Sequence, residues 1–132
     1  MRVIMFTRES DVAVVLPSAS FLDSHVECRP PTPACYGAID DADVVMIDAR
    51  GDLMRARALC QLLSGPIDCP PIILVMEEGG AAVVQPDWGA ADFVMADATP
   101  AELSARLRLL RARVIAPAPV GDDQIEVGDL II

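Results

Sequence analysis

The chain has 132 residues, 53% of them hydrophobic, and a formal net charge of −10 in which every one of the ten basic residues is arginine. That length suits one domain with a full core, and the acidic balance argues against direct contact with nucleic acid, whose phosphates need a basic surface. No apolar run approaches the ~18 residues of a membrane span, and Met1 to Phe6 is too short for a signal peptide and lacks a small-residue cleavage site, so a soluble, cytoplasmic protein is expected.

Arg2 to Thr7 reads as a first apolar strand. Val12 to Leu22 has Val12, Val15, Leu16 and Leu22 near helical spacing, but Pro17 restricts where a helix begins, so a short or irregular helix is expected. His25-Val26-Glu27-Cys28 alternates polar and apolar residues and suits a strand near a sheet edge. Arg29 to Pro33 reads as loop, and Ala34 to Asp41 as at most a brief helix. Val44-Val45-Met46-Ile47 then runs without interruption into Asp48, with Gly51 soon after. Such a run fits a strand buried on both faces of a parallel sheet. Asp48 would stand at its carboxyl end, where ligands and chemistry collect in open α/β sheets.

Asp52 to Leu63 predicts a helix with Leu53, Ala56, Leu59, Cys60 and Leu63 on one face. Ser64-Gly65-Pro66 ends it, and Ile72 to Met76 is a second all-apolar strand. After the Glu77-Glu78-Gly79-Gly80 turn, Ala81 to Gln85 suggests a short helix and Ala91 to Ala96 the last strand. Thr99, Pro100 and Glu102 occupy the N-cap, first and third positions of a helix that runs through Leu103, Leu107 and Leu110. Arginines gather toward its carboxyl end, where cations oppose the dipole. Ala116-Pro117-Ala118-Pro119 predicts a stiff linker, and the final Gly128-Asp129-Leu130-Ile131-Ile132 suggests the start of a further domain.

Cys28, Cys35, Cys60 and Cys69 show no C-x-x-C pairing, and His25 is the one histidine. Core thiols in a reducing compartment fit better than a zinc site built from His25, Cys28 and Cys35. No metal or cofactor is expected.

Five strands alternating with helices, and an aspartate ending the third, resemble the receiver domain of response regulators. The stretch from Trp88 to Asp97, followed by Thr99-Pro100-Ala101-Glu102-Leu103, is similar to the receiver signature around the fifth strand. The linker and the Gly-Asp-Leu after it resemble the join to a winged-helix DNA-binding domain of the OmpR/PhoB class. Asp48-Ala49-Arg50, Glu78-Gly79-Gly80 and Asp87-Trp88-Gly89 look most like the orphan actinobacterial nitrogen-assimilation regulators of the GlnR family. The resemblance implies an α/β, flavodoxin-like three-layer sandwich with a five-stranded parallel sheet in the order 2-1-3-4-5. Residues 1–114 would form an atypical receiver. Residues 115–132 would be the linker and the start of a truncated DNA-binding domain.

A working receiver has an acidic pair after strand one, a hydroxyl after strand four and a lysine on strand five. Here those positions carry Thr7 and Arg8, Met76 (or Glu77) and Ala96, and Asp97 stands where a proline normally follows the lysine. Phosphoryl transfer to Asp48 needs a metal and cations around the moving oxygens, so this position is expected not to be phosphorylated and the protein not to be an enzyme. Residues two apart on a strand point the same way, so Arg50 is expected beside Asp48, with Thr7 and Arg8 from the neighbouring strand end. The expected result is a charge network of Asp48, Arg50, Thr7 and Arg8. Met76, Phe93 and Ala96 mark degenerate switch positions, Phe93 being as compatible with plain core packing.

In the OmpR/PhoB class a homodimer forms through the fourth helix, fifth strand and fifth helix. The residues that would serve it here are Ala82, Val83, Asp92, Asp97, Glu102, Arg106, Arg111 and Arg113, although arginines on that helix are equally explained as a solvated face. DNA would be contacted only through the missing domain, and no membrane partner is expected. Two other readings are a conventional phosphorylatable receiver, with Glu9 and water-mediated Mg²⁺ assisting Asp48, and a flavodoxin-like small-molecule sensor using the Glu77–Gly80 turn.

Overall fold

The computed structural model describes residues 1–22, 24–66 and 68–115. Five strands, β1 (Arg2–Phe6), β2 (His25–Arg29), β3 (Val44–Asp48), β4 (Ile72–Met76) and β5 (Asp92–Met95), pair in parallel in the order β2-β1-β3-β4-β5. The helices are α1 (Val12–Val15), α2 (Leu53–Leu63), α3 (Glu78–Ala81) and α4 (Pro100–Ile115), with 3₁₀ segments at Pro17–Phe21, Pro33–Asp41 and Pro86–Trp88. This is the flavodoxin-like three-layer arrangement. The all-apolar strands β3 and β4 lie inside the sheet, and the half-polar β2 lies on its edge.

Side-chain alternation divides the core into two layers. Val44 and Met46 of β3 face α1, the first 3₁₀ segment and Leu103, Leu107 and Leu110 of α4. Val45, Ile47 and the following Ala49 face α2, the second 3₁₀ segment and Trp88. Asp48 shares the strand face of Val44 and Met46, so its carboxylate points toward the α1 side of the sheet's carboxyl edge.

Three local expectations need correction. The segment expected as at most a brief helix is a 3₁₀ run of nine residues, Pro33–Asp41. It opens at the proline, whose fixed φ suits a first helical position and whose missing N–H is not needed there. Arg29 ends β2 rather than beginning a loop, because its carbonyl accepts the Thr7 N–H at 2.9 Å. The helix expected at Ala81–Gln85 instead starts at Glu78 and ends at Ala81. The Glu77 carbonyl accepts the N–H groups of Gly80 and Ala81, so the glycine pair lies within the helix. Gly80 packs closely there: a Cβ on it would stand 2.9 Å from Leu53 Cδ2, a methyl at the end of a side chain that can turn away.

The cysteines are free thiols, and burial pushes that of Cys60 up to about 11. No group of three or more His, Cys, Asp or Glu side chains among the described residues is placed to hold a metal ion. No helix among them is long and apolar enough to cross a membrane. The expected linker and the segment after it, 116–132, lie outside the described residues.

Candidate functional site at the carboxyl end of the third strand

Strand β3 ends at Asp48 because the chain must leave the sheet to start α2. Ala49 donates its N–H to the Val75 carbonyl at 2.8 Å, the last bond toward β4, and Asp52 caps α2 by accepting the Arg55 N–H at 3.0 Å. Between them the chain makes an Asx-type turn, in which the Arg50 N–H donates to Asp48 Oδ1 at 3.2 Å. This turn carries the Arg50 side chain back over the carboxylate it follows.

Both carboxylate oxygens are engaged. Arg50 Nε donates to Oδ1 at 2.8 Å and Nη2 to Oδ2 at 3.1 Å, a bidentate pair. Thr7 Oγ1, at the end of β1, donates to Oδ2 at 2.7 Å and in turn accepts the Glu9 N–H at 3.1 Å. Arg50 Nη1 donates to the Val14 carbonyl at 3.2 Å, and Nη2 stands 3.8 Å from the Glu9 carboxylate. Four donors therefore meet Asp48, from three sources: the backbone and side chain of Arg50 and the hydroxyl of Thr7. The clasp is partly sheltered, with side-chain exposures of 14% for Asp48 and 23% for Arg50. Burial alone would raise the Asp48 carboxyl; the hydrogen bonds from Arg50 and Thr7 outweigh it and hold the group below the usual carboxylate range.

Arg8, expected in this network, stands apart. It is exposed on the rim of the neighbouring cleft and makes no hydrogen bond to Asp48 among the described residues. A strand-end residue next to the inward-facing Thr7 points to the other side, which is the physical reason. Glu9 takes the outer place beside Arg50 instead.

The donor set does not fit a magnesium ion. Mg²⁺ requires near-octahedral oxygen ligation. Here the Thr7 hydroxyl gives its proton to Asp48, Arg50 covers both carboxylate oxygens, and Arg8 adds a cation to the same loop. The degenerate positions agree in character. Met76 is fully buried at the end of β4, and Ala96 donates its N–H to the Met76 carbonyl at 2.9 Å. No hydroxyl or ammonium is supplied by either. In the Glu77–Gly80 turn the Gly80 and Ala81 amides donate to the Glu77 carbonyl.

A second cluster lies at the β5 edge. Asp92 of β5 meets Arg106 of α4 at 3.2 Å, and Arg106 reaches Glu102 one turn back, also at 3.2 Å. The guanidinium carbon lies 5.8 Å from the centre of the half-buried Phe93 ring. Val83, just past α3, is exposed, and Asp97 stands in the turn between β5 and α4. Sequence reasoning missed Leu109, which follows Arg106 by three residues on the same flank and is 69% exposed. Its signal was present: with Leu103, Leu107 and Leu110 on the core face, Leu109 has no core position to fill. Arg111 does not join this cluster. Five residues round the helix from Arg106, it faces the opposite flank and lies 3.6 Å from Asp43, before β3. The Arg113 side chain is outside the described part of α4.

Among solved structures, the chain is similar to the signal receiver domain of a signal transduction histidine kinase from Syntrophus aciditrophicus. That match has a TM-score of 0.62 and 14% identity, and covers 90% of this chain and 96% of the other. Another similar structure is a fusion chain carrying the yeast Spc42 trimeric coiled coil, with a TM-score of 0.54, 19% identity, and 89% and 84% of the two chains covered. At these identities the likeness is one of fold. No curated protein matches the chain. The family model for the N-terminal domain of the transcription regulator GlnR matches residues 1–111, nearly the whole described length, and the chain belongs to that family.

Proposed function

We propose that this receiver-fold domain serves a transcription regulator of nitrogen metabolism as a homodimerisation unit that works without phosphorylation of Asp48. The observation that carries this reading is the bidentate Arg50–Asp48 pair closed by Thr7. A phosphoryl group arriving at Asp48 would have to displace an intramolecular guanidinium, with no magnesium site to help it. A fixed counter-charge in that place holds one state of the switch instead of two.

The surface left for output is the flank of α3, β5 and α4. Val83 and Leu109 are exposed and would supply apolar surface, and Asp92, Glu102 and Arg106 would supply alternating charge. A two-fold interface needs both, because each patch meets its own copy. Asp97 and Ala82 border the patch, and Arg111 is left out of it. Two such domains would place two DNA-binding domains over paired half-sites in the cytoplasm; the chain itself, at −10, makes no direct contact with DNA.

The test incubates the 132-residue protein with acetyl phosphate and Mg²⁺, then reads Phos-tag gels, intact mass and sedimentation velocity at micromolar concentration. Unmodified protein that is dimeric with and without the phosphodonor is the expected result. An acid-labile phosphoryl adduct on Asp48 would establish the conventional receiver reading in its place. Sedimentation as a monomer under both conditions would remove the dimer.

A further inference from the structure

A cleft of about 720 Å³ lies between the 3₁₀ segment Pro33–Asp41 and α2, at the carboxyl edge of β1 and β3. One side of it is apolar, with Phe6 and Ile47 from the strands, Tyr36 from the 3₁₀ segment, and Leu59 and Leu62 from α2; Thr7, Glu9, Asp48, Arg50, Asp52 and Arg55 line the other. Phe6 and Tyr36 meet edge to face with ring centres 5.9 Å apart, which sets a rigid aromatic side to the opening. Leu62 is 58% exposed and Ala58 beside it is exposed too, so apolar surface faces water inside a concavity. The volume lies within the roughly 300–1,000 Å³ usual for small-molecule sites. The position, where β1 and β3 diverge in connection, is where ligands sit in open α/β sheets.

The charges on the rim select the ligand. The carboxylates are already matched: Asp48 by its four donors, Glu9 by Arg50 at 3.8 Å, and Asp52 by Arg55 at 3.6 Å and by the α2 amide it caps. Arg8 lines the same rim, is exposed, and forms no ion pair among the described residues. Arg57 and Arg108 also form no ion pair among the described residues, but neither lines the cleft; of its arginines, Arg50 and Arg55 are paired and Arg8 is not, and beside an apolar wall it matches one negative charge on an apolar body.

We infer that the cleft between α2 and the Pro33–Asp41 segment binds a small monocarboxylic acid with an aromatic body, its ring against Phe6, Tyr36 and Leu62 and its carboxylate on Arg8. This goes beyond the phosphorylation-independent dimer: the clasp residues line one side of the cleft, but the groups assigned to the ligand, Arg8, Phe6, Tyr36 and Leu62, belong neither to the clasp nor to the β5 edge.

A charge series of one shape tests the assignment: 3-phenylpropionate, 3-phenylpropanol and 3-phenylpropylamine, titrated into the ¹⁵N-labelled protein and followed by amide chemical shifts. The acid is expected to bind tightest, the amine weakest, with shifts concentrated on the loop after β1, the 3₁₀ segment and α2. Arg8→Gln, at an exposed position, is expected to weaken the acid at least about fivefold while leaving the alcohol unchanged. Ala58→Trp, also exposed, fills the groove and abolishes binding of all three. Shifts centred elsewhere, an amine that binds as well as the acid, or an Arg8→Gln protein that binds the acid with parental affinity would each overturn the proposal.

Discussion

At the scale of single residues, the Asp48 carboxylate is engaged by four donors from Arg50 and Thr7. Removing the Arg50 side chain leaves the Asp48 carboxylate, only 14% exposed in the clasp, with Thr7 and one backbone amide as donors. Exposed pairs contribute at most about 1 kcal/mol and breaking buried ones costs about 3–5 kcal/mol. Arg50→Ala at this intermediate depth is therefore expected to destabilise by about 2 kcal/mol, or about 8 °C in Tm for a domain of this size. The effect has a direction in pH. The Asp48 carboxyl is held below its ordinary value in the fold, so its contribution is complete above the unfolded pKa of about 3.9. It is lost as the pH falls through the lowered folded value. Thermal melts of the parent and Arg50→Ala should therefore lie far apart at pH 7 and converge as the pH falls below about 4. A gap of constant width across that range would mean that Arg50 acts by packing its stem and not through its charge.

At the scale of elements, what could be read from the chain follows from how local each signal is. The uninterrupted apolar runs Val44–Ile47 and Ile72–Met76 mark central strands, since burial on both faces leaves no room for alternation. The start of α4 is equally local: Thr99 Oγ1 accepts the Glu102 N–H at 3.2 Å, as the Thr-Pro-x-Glu pattern implies. The extent of the second crossover was not legible, because Pro33–Asp41 has neither helical periodicity nor strand alternation and takes its form from docking Tyr36 and Ile39 onto the sheet. The cleft beside it was invisible for the same reason. The start of α3 was hidden by Gly79 and Gly80, which read as a turn. Gly89, which the sequence marked only as part of the Asp87-Trp88-Gly89 stretch, is required by its backbone. It closes the Pro86–Trp88 segment at φ 90°, and a Cβ there would stand 2.8 Å from that of Ser64. Gly89→Ala is expected to cost about 2 kcal/mol through the left-handed backbone alone. Because Trp88 packs on α2 beside this turn, tryptophan fluorescence during urea unfolding reports the loss directly. An unchanged midpoint would show that the turn relaxes freely.

At the scale of the whole molecule, the two ends of the sheet's reasoning meet. A receiver transmits by coupling its phosphorylation site to the face of its last strand and helix, and that coupling needs two arrangements of one element. On the function proposed above, the clasp at Asp48 would leave one arrangement and the β5 edge would serve pairing; Arg106 is held there between Asp92 and Glu102 with the Phe93 ring beside it. A surface ordered in advance loses little side-chain entropy on pairing, which favours association without an activating event. Phe21 and Met54 are as exposed elsewhere on the domain, so exposure alone does not mark this flank; Leu109 is the residue by which it can be tested, because it lies beside the Asp92–Arg106–Glu102 charges. Leu109→Arg places a cation at the centre of a patch that must meet itself, so two like charges oppose each other across the two-fold axis. The domain should keep its Tm, because the side chain is not in the core, while sedimentation velocity shifts to monomer at concentrations where the parent is dimeric. Leu109→Ala, which removes area without adding charge, should weaken the dimer less. A Leu109→Arg protein that sediments with the parent would move the self-association surface away from this flank, and one that loses its fold would place Leu109 in the core after all.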